Sequence, residues 1–274
     1  MTTFSRLHRY FDETKLCWRL GAGVSDRANL AIDTFLFHVQ NARGKVSCPD
    51  DARVKHCRIR LPHRMDSPVD FHYRLRGGDL FILHEVLLDQ CYWIPPVLTN
   101  VVKTVVDLGG NIGSATLSFA SQFPKASFIC VEPNPRNAAI LAQNVAWLGT
   151  RAQVVQAAIS DQDGEIQFNT DGAAWEGSLG EGKNSISVPS YRLETLLNTM
   201  GVSQVDVLKV DIEGAERALF ASRGPWWDRV RFIIAELHDP YSFKDFSRDM
   251  DAIGFRAVAA GLGYGNLMPV AIRP

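Results

Sequence analysis

From Lys103 onward, short apolar runs alternate with stretches whose apolar positions recur at helical spacing. The pattern predicts strands at Lys103–Leu108, Ser127–Val131, Ala152–Ala158, Val205–Val210 and Val230–Leu237. Between and after them it predicts helices at Ser114–Gln122, Arg136–Trp147, Leu193–Met200, Glu213–Ala221 and Phe243–Ala252. Glu165–Asn169 and Ser185–Pro189 read as an inserted hairpin, Trp175–Asn184 as a loop, and Phe255–Ala259 and Leu267–Ile272 as short terminal strands. Near-continuous apolar strands, separated by helices, imply a mostly parallel sheet covered on both faces, an α/β Rossmann-like fold. Such sheets bind ligands beyond the carboxyl ends of their strands, so the chemistry is expected there.

The first hundred residues follow another pattern. Arg6–Leu20 and Asp26–Gln40 have helical spacing, whereas Val54–Leu61 and Val69–Arg76 alternate as a strand pair would. Gly77-Gly78-Asp79 breaks the second strand, with Asp79 the expected N-cap of a helix Leu80–Asp89. Tyr92-Trp93-Ile94-Pro95-Pro96 closes the region. Residues 1–98 are therefore expected to be a helical and hairpin extension that covers the pocket and selects the substrate, and 99–274 the core.

Composition narrows the partners. A net charge of −1 gives no electrostatic reason to expect nucleic acid. No apolar run approaches the roughly 20 residues of a membrane-spanning helix. Five cysteines, Cys17, Cys48, Cys57, Cys91 and Cys130, are scattered without C-x-x-C spacing, which argues against a zinc site or a disulfide framework. With no signal-peptide pattern at the start, the expectation is a soluble, cytoplasmic protein; whether it forms a homo-oligomer is open.

The strongest motif is Val105-Val-Asp-Leu-Gly-Gly-Asn-Ile-Gly113, between a strand and a helix. Gly109 and Gly113 permit a tight turn and close approach of a ligand to the backbone. The following helix offers free N–H groups to a carboxylate. Asp107 can accept hydrogen bonds from an ammonium, and Asn111 can brace the loop or touch the ligand. A carboxylate and an ammonium together describe the amino-acid end of S-adenosylmethionine (SAM). Glu132, at the end of the next strand, suits the two ribose hydroxyls. Asn134 is placed to border ribose or adenine, and Ala158 to offer backbone groups to adenine. A nicotinamide dinucleotide fits less well, because G-G-N-I-G lacks the first G-x-G and Asp107 would repel a pyrophosphate.

These residues, with Ala157-Ala-Ile-Ser-Asp161, Lys209-Val-Asp-Ile-Glu-Gly-Ala-Glu216 and Ile233-Ile-Ala-Glu-Leu-His238, resemble the FkbM-type SAM-dependent methyltransferases. Tyr73-Arg-Leu-Arg-Gly-Gly-Asp79, with Glu85 and Tyr92, resembles the segment before that family's core, and both residues are counted with the cofactor-binding set on that ground. The resemblance runs from about Tyr73 to His238. It implies a class I methyltransferase fold with a seven-stranded sheet, an antiparallel last strand, and O-methylation of a hydroxyl on a secondary metabolite or sugar. The general class I pattern often has an acid at the third strand end. Here Ala157-Ala158 stands there, leaving adenine to the backbone or to Asp161.

Methyl transfer to an alcohol needs a place for the hydroxyl proton. Asp211 and Glu213 follow the fourth strand, Glu236 and His238 the fifth, and persisting extended geometry would make them converge. Asp211 is expected to position the acceptor and His238 to take the proton, with Glu213 beside them. No metal is expected; were one bound, magnesium or manganese on Asp211, Glu213 and His238 would be the arrangement. Plainer roles compete. Glu213 equally suits the dipole of a helix beginning there, Glu216 a solvated helix face, His84 and His238 structural positions, and Tyr92 simple packing. Asp239 reads as a turn residue and Trp226-Trp227 as core or an interface. The rival functions are a non-catalytic binding module and an NAD(P)-dependent oxidoreductase.

Overall fold

The structure is a computed structural model that describes residues 3–43, 53–62, 64–75, 77–94, 102–170, 178–180, 182, 184–222, 224–260 and 268–273. Cys48, Arg76, Pro95, Pro96, Leu267 and much of the expected loop Trp175–Asn184 lie outside these residues.

The central sheet joins strands β3 (Thr104–Leu108), β4 (Ser127–Val131), β5 (Ala152–Val155), β10 (Val205–Val210), β11 (Val230–Ala235), β12 (Arg256–Ala260) and β13 (Met268–Ile272). Its order is β12-β13-β11-β10-β3-β4-β5. Every neighbouring pair from β11 to β5 is parallel, and β13 alone runs against both its neighbours. The chain winds outward from β3 through β4 to β5, then resumes on the other side at β10. The reversal point lies between β3 and β10, where open parallel sheets form their ligand crevice.

Both faces of this sheet are buried, which is why its strands lack polar alternation. Val105, Cys130, Val207 and Phe232 face one core, shared with α4 (Ser114–Gln122) and α5 (Pro135–Val145). Val106, Leu108, Ile129, Leu208 and Ile233 face the other, shared with α6 (Leu193–Thr199), α7 (Glu216–Ala221) and α8 (Phe243–Asp251). Trp226 and Trp227 stack within this second core, as expected.

The extension completes the first core. It comprises α1 (Thr3–Leu20), α2 (Val24–Ala42), the antiparallel pair β1 (Val54–Leu61) and β2 (Arg64–Arg74), and α3 (Asp79–Leu88). Leu16, Leu20, Ile59, Phe71 and Leu83 pack with the core residues named above. Asn144, fully buried on α5, ties the two regions together. Its side chain accepts from the His72 amide at 2.6 Å and donates to the carbonyls of His72 and Ile112 at 3.0 and 2.7 Å.

Several expectations change. Asp79 is not the N-cap of α3: Gly78 is, at φ +77°. The Asp79 carboxylate is taken instead by Arg74, through the backbone N–H at 2.7 Å and the guanidinium at 2.9 and 2.8 Å. The expected strand Ala152–Ala158 divides. It leaves the central sheet after Val155, and β6 (Ala158–Ile159) joins β7 (Gly164–Asn169), β8 (Ser178–Leu179) and β9 (Ser185–Tyr191) in a second sheet. The inserted hairpin is thus β7–β9, and Ser178–Leu179, read as loop, is a short strand on its edge. The helix expected from Glu213 begins at Glu216, because Glu213 and Gly214 take positive φ values of 51° and 98°.

Candidate active site

The cleft opens over the carboxyl ends of β3, β4, β10 and β11, at the reversal point. The loop after β3, the start of α5, Ala157–Ile159 and α3 wall it.

Its first half is built by glycine geometry and one carboxylate. Gly109 stands at φ +77°, and a Cβ there would collide with the Asp211 carbonyl oxygen. Gly113, at φ +95°, has Leu141 in the place of a side chain. Asn111 adopts φ 47°, tolerable for asparagine in the left-handed region. Glu132 braces this loop: one oxygen accepts from the Asn111 amide at 2.8 Å, the other from the Asn134 amide at 2.9 Å and the Asn137 side chain at 3.2 Å. Burial raises its pKa to about 7 although these donors pull it down. Asn134 also caps α5, its side chain accepting from the Arg136 amide at 3.0 Å. Asn111 Oδ1 and Ser114 Oγ border this half, buried and without hydrogen-bond partners among the described residues. Ala158 lines the cleft, whereas Asp161 is exposed beyond it.

Asp107 lies deeper than the loop it precedes. It is fully buried, accepts from Thr116 Oγ1 at 2.6 Å and pairs with Lys209 Nζ at 3.2 Å, and does not itself line the cleft. Lys209 was given no role in the sequence reading, yet it links the two halves. Its ammonium donates to the Gly109 carbonyl at 2.7 Å, pairs with Asp211 at 3.3 Å and stands 5.4 Å from the Tyr92 ring centre. Burial works against its charge, but Asp107 and Asp211 outweigh it and hold the pKa above that of an ordinary lysine. A lysine inside a mostly apolar strand, two residues before an acid, was the available signal.

The second half gathers Asp211, Glu213, Glu236, Glu85 and Tyr92 along the cleft, with His238 behind them. Tyr92 is buried and donates to Asp211 at 3.2 Å, so it does more than pack. One oxygen each of Asp211 and Glu213 and a nitrogen of His238 lie within 4.8 Å of one another. They converge although the extended geometry assumed for them ends at Glu213. His238 Nε2 stands 3.4 Å from Glu213 and 4.0 Å from Asp211.

Glu216, expected on a solvated face, is fully buried. It accepts from the amides of Ile212 and Gly214 and from His238 Nδ1 at 3.0 Å, which turns Nε2 toward Glu213. Burial lowers the His238 pKa, but Glu216, Glu213 and Asp211 overcome it and raise it to about 9. Burial and the Asp211 charge raise Glu213 to about 8, against the pull of His238. Both groups are therefore protonated near neutral pH, and the pair can accept a proton only after it has lost one. His84 is buried in the extension, as expected of a structural histidine.

Cys17, Cys57, Cys91 and Cys130 are buried free thiols, and no helix among the described residues is long and apolar enough to cross a membrane.

Three relatives are similar to this chain in sequence. A 2-O-methyltransferase, NoeI, of Sinorhizobium fredii is 34% identical over 165 residues, covering 53% of this chain and 68% of that protein. The 31-O-demethyl-FK506 methyltransferase FkbM of Streptomyces tacrolimicus is 25% identical over 197 residues, covering 60% and 76%. The hexuronic acid methyltransferase AglP of Haloferax volcanii is 25% identical over 143 residues, covering 52% and 59%. The methyltransferase FkbM domain matches residues 107–257, from the acid of the glycine loop to β12 and so across more than half the chain. With that match, which includes the ends of β3, β4, β10 and β11 around the cleft, the chain belongs to the FkbM family of methyltransferases, which use SAM as methyl donor.

Proposed function

We propose that this protein transfers the methyl group of SAM to a hydroxyl oxygen of a small acceptor, a sugar or a secondary metabolite. The observation that carries the reading is the division of one cleft. A glycine loop braced by Glu132 forms one end, and Asp211, Glu213 and His238 converge at the other. The O-methyltransferase names of two relatives support the same acceptor atom.

The first half fits the donor. Ser114 Oγ and Asn111 Oδ1 are buried polar atoms awaiting partners, beside the free N–H groups at the start of α4. Asn111, Ser114 and the backbone after Gly109 would hold the amino-acid end, Glu132 and Asn134 the ribose, and Ala158 the adenine. Asp107 and Gly113 act from beneath, by anchoring Lys209 and allowing the turn. When bound, SAM supplies an electrophilic methyl on sulfur, and the acceptor O–C bond forms as that S–C bond breaks. Asp211, fixed by Lys209 and Tyr92, accepts the acceptor's O–H and sets its direction. The Glu213–His238 pair receives the proton, with Glu216 holding the imidazole. A second reading has the three converging ligand atoms hold magnesium or manganese, which would acidify the hydroxyl instead.

Calorimetry with SAM, followed by transfer of a deuterated methyl group into a panel of sugars and hydroxylated metabolites read by mass spectrometry, tests the proposal. Label attached to carbon or nitrogen rather than oxygen, or no binding of SAM, would overturn it.

A further inference from the structure

Glu85 was grouped with the cofactor residues by resemblance, but its surroundings are those of the acceptor. It projects from the middle of α3 into the cleft. Besides the effect of its burial, the charges that act on it are those of Glu236, Asp89, Arg9 and Asp211. Glu236 follows β11 and Asp211 follows β10. Glu132, which marks the ribose position, follows β4, three strands from β11. At the usual spacing of neighbouring strands that is roughly 14 Å across the sheet.

Glu85 takes part in no hydrogen bond or ion pair among the described residues. Its neighbour one turn on, Asp89, is different: Arg9 of α1 clamps both its oxygens, at 2.6 and 2.7 Å. A largely shielded carboxylate with no partner is costly, and burial together with Glu236 and Asp89 raises its pKa to about 7. A partner brought by a ligand removes that cost. Lys209, the only lysine among the described cleft residues, is occupied by Asp107, Asp211 and the Gly109 carbonyl. An entering anion would meet Glu85, Asp211, Glu213 and Glu236 and no uncommitted cation among the cleft residues described.

We propose that Glu85 is a specificity-determining residue of the acceptor subsite: with Asp211 and Glu236 it selects an acceptor that presents hydrogen-bond donors, hydroxyl or ammonium, and rejects one bearing a carboxylate or phosphate beside the methylated oxygen. The inference rests on the methyltransferase reading of the cleft and adds the charge class of its substrate. Because α3 belongs to the extension, it also gives that region a direct part in choosing the acceptor.

Three matched probes test it on protein saturated with S-adenosylhomocysteine: methyl glucoside, methyl glucosaminide and methyl glucuronide, with binding followed by ligand-observed NMR. The neutral or the amino sugar is expected to bind at least about ten-fold more tightly than the uronate, the span of one charge-assisted hydrogen bond. Preference for the amino sugar identifies ammonium as the recognised donor, and preference for the glucoside identifies hydroxyl. Glu85→Gln, checked for folding by thermal melting, should narrow the gap to the uronate by about ten-fold while leaving SAM affinity within about two-fold. Uronate binding as tight as the others, no binding of any of the three, or a ten-fold loss of SAM affinity in Glu85→Gln would each overturn the assignment. Failure of the unaltered protein to bind SAM would instead remove the methyltransferase reading beneath it.

Discussion

Tyr92 donates its phenolic hydroxyl to the Asp211 carboxylate across 3.2 Å, so a residue of the N-terminal region fixes an acid at the end of the fourth core strand. Lys209 holds the same oxygen of Asp211 at 3.3 Å and lies over the Tyr92 ring. Removing the hydroxyl leaves Asp211 with one fewer donor and free to swing from the acceptor. Tyr92→Phe should therefore retain SAM affinity by calorimetry and lose roughly ten-fold in kcat, one hydrogen bond to a charged group. A parallel loss of SAM affinity would place Tyr92 with the donor instead.

Gly109 offers a sharper test of the loop. An alanine there meets the left-handed backbone penalty of about 1–2 kcal/mol and drives its Cβ into the Asp211 carbonyl, which cannot move without disturbing β10. Gly109→Ala should lower the melting temperature and abolish SAM binding together. Gly254→Ala, also at positive φ but with open space around it, should carry only the backbone penalty. Equal effects of the two would mean that close packing of the loop on Asp211 is unimportant.

The fold was legible because burial on both faces writes itself into the strands: Ser127–Val131 is apolar after its first residue, and Val205–Val210 is apolar except for Asp206 and Lys209. The reading failed where a local signal had two meanings. Glu213 and Glu216 both look like acids in a first helical turn, and only the positive φ values of Glu213 and Gly214 separate them. Glu216 then becomes a buried acceptor for three N–H groups, a role that spacing alone cannot distinguish from a solvated position. Ala152–Ala158 read as one strand because its apolarity is continuous, although its end serves a different sheet. Lys209 was overlooked because a lysine in a strand is ordinarily an edge residue, whereas here it sits at the centre between two carboxylates.

The proton-accepting pair has a pH signature. Neighbouring carboxylates push His238 up to about 9, and burial pushes Glu213 up to about 8, so a proton must leave the pair before it can take one from the acceptor. The rate should climb as pH rises from 7 toward 9. Glu216 helps to hold the His238 pKa up, so Glu216→Gln should move the rising limb to lower pH by about one unit, with a lower plateau from the loosened imidazole. A pH–rate profile that is flat over this range would exclude the pair as the proton acceptor.

Metal dependence is decided by charge already present. Lys209 neutralises Asp211, and the His238 proton faces Glu213, so the converging ligand atoms are satisfied without a cation. Turnover is expected to survive exhaustive EDTA treatment and to be insensitive to added magnesium. Loss of activity restored by magnesium or manganese, with manganese detectable on the protein by electron paramagnetic resonance, would assign the trio to the metal.

The unpartnered state of Glu85 can be measured without any acceptor. Its folded pKa, near 7, stands above the ordinary value of 4.5. The folded state thus binds this proton more tightly than the unfolded chain does. Its contribution to stability is fully present below about 4.5 and is lost as pH climbs through about 7. Glutamine at this position carries no charge to lose. The melting temperature of Glu85→Gln relative to the unaltered protein should rise steadily between pH 5 and 7 and level off above it, in differential scanning fluorimetry across a buffer series. A carboxylate that had found a cation within the fold, or one fully solvated, would hold its folded pKa at or below about 4.5 and leave the two curves parallel across this range, showing that Glu85 needs no ligand.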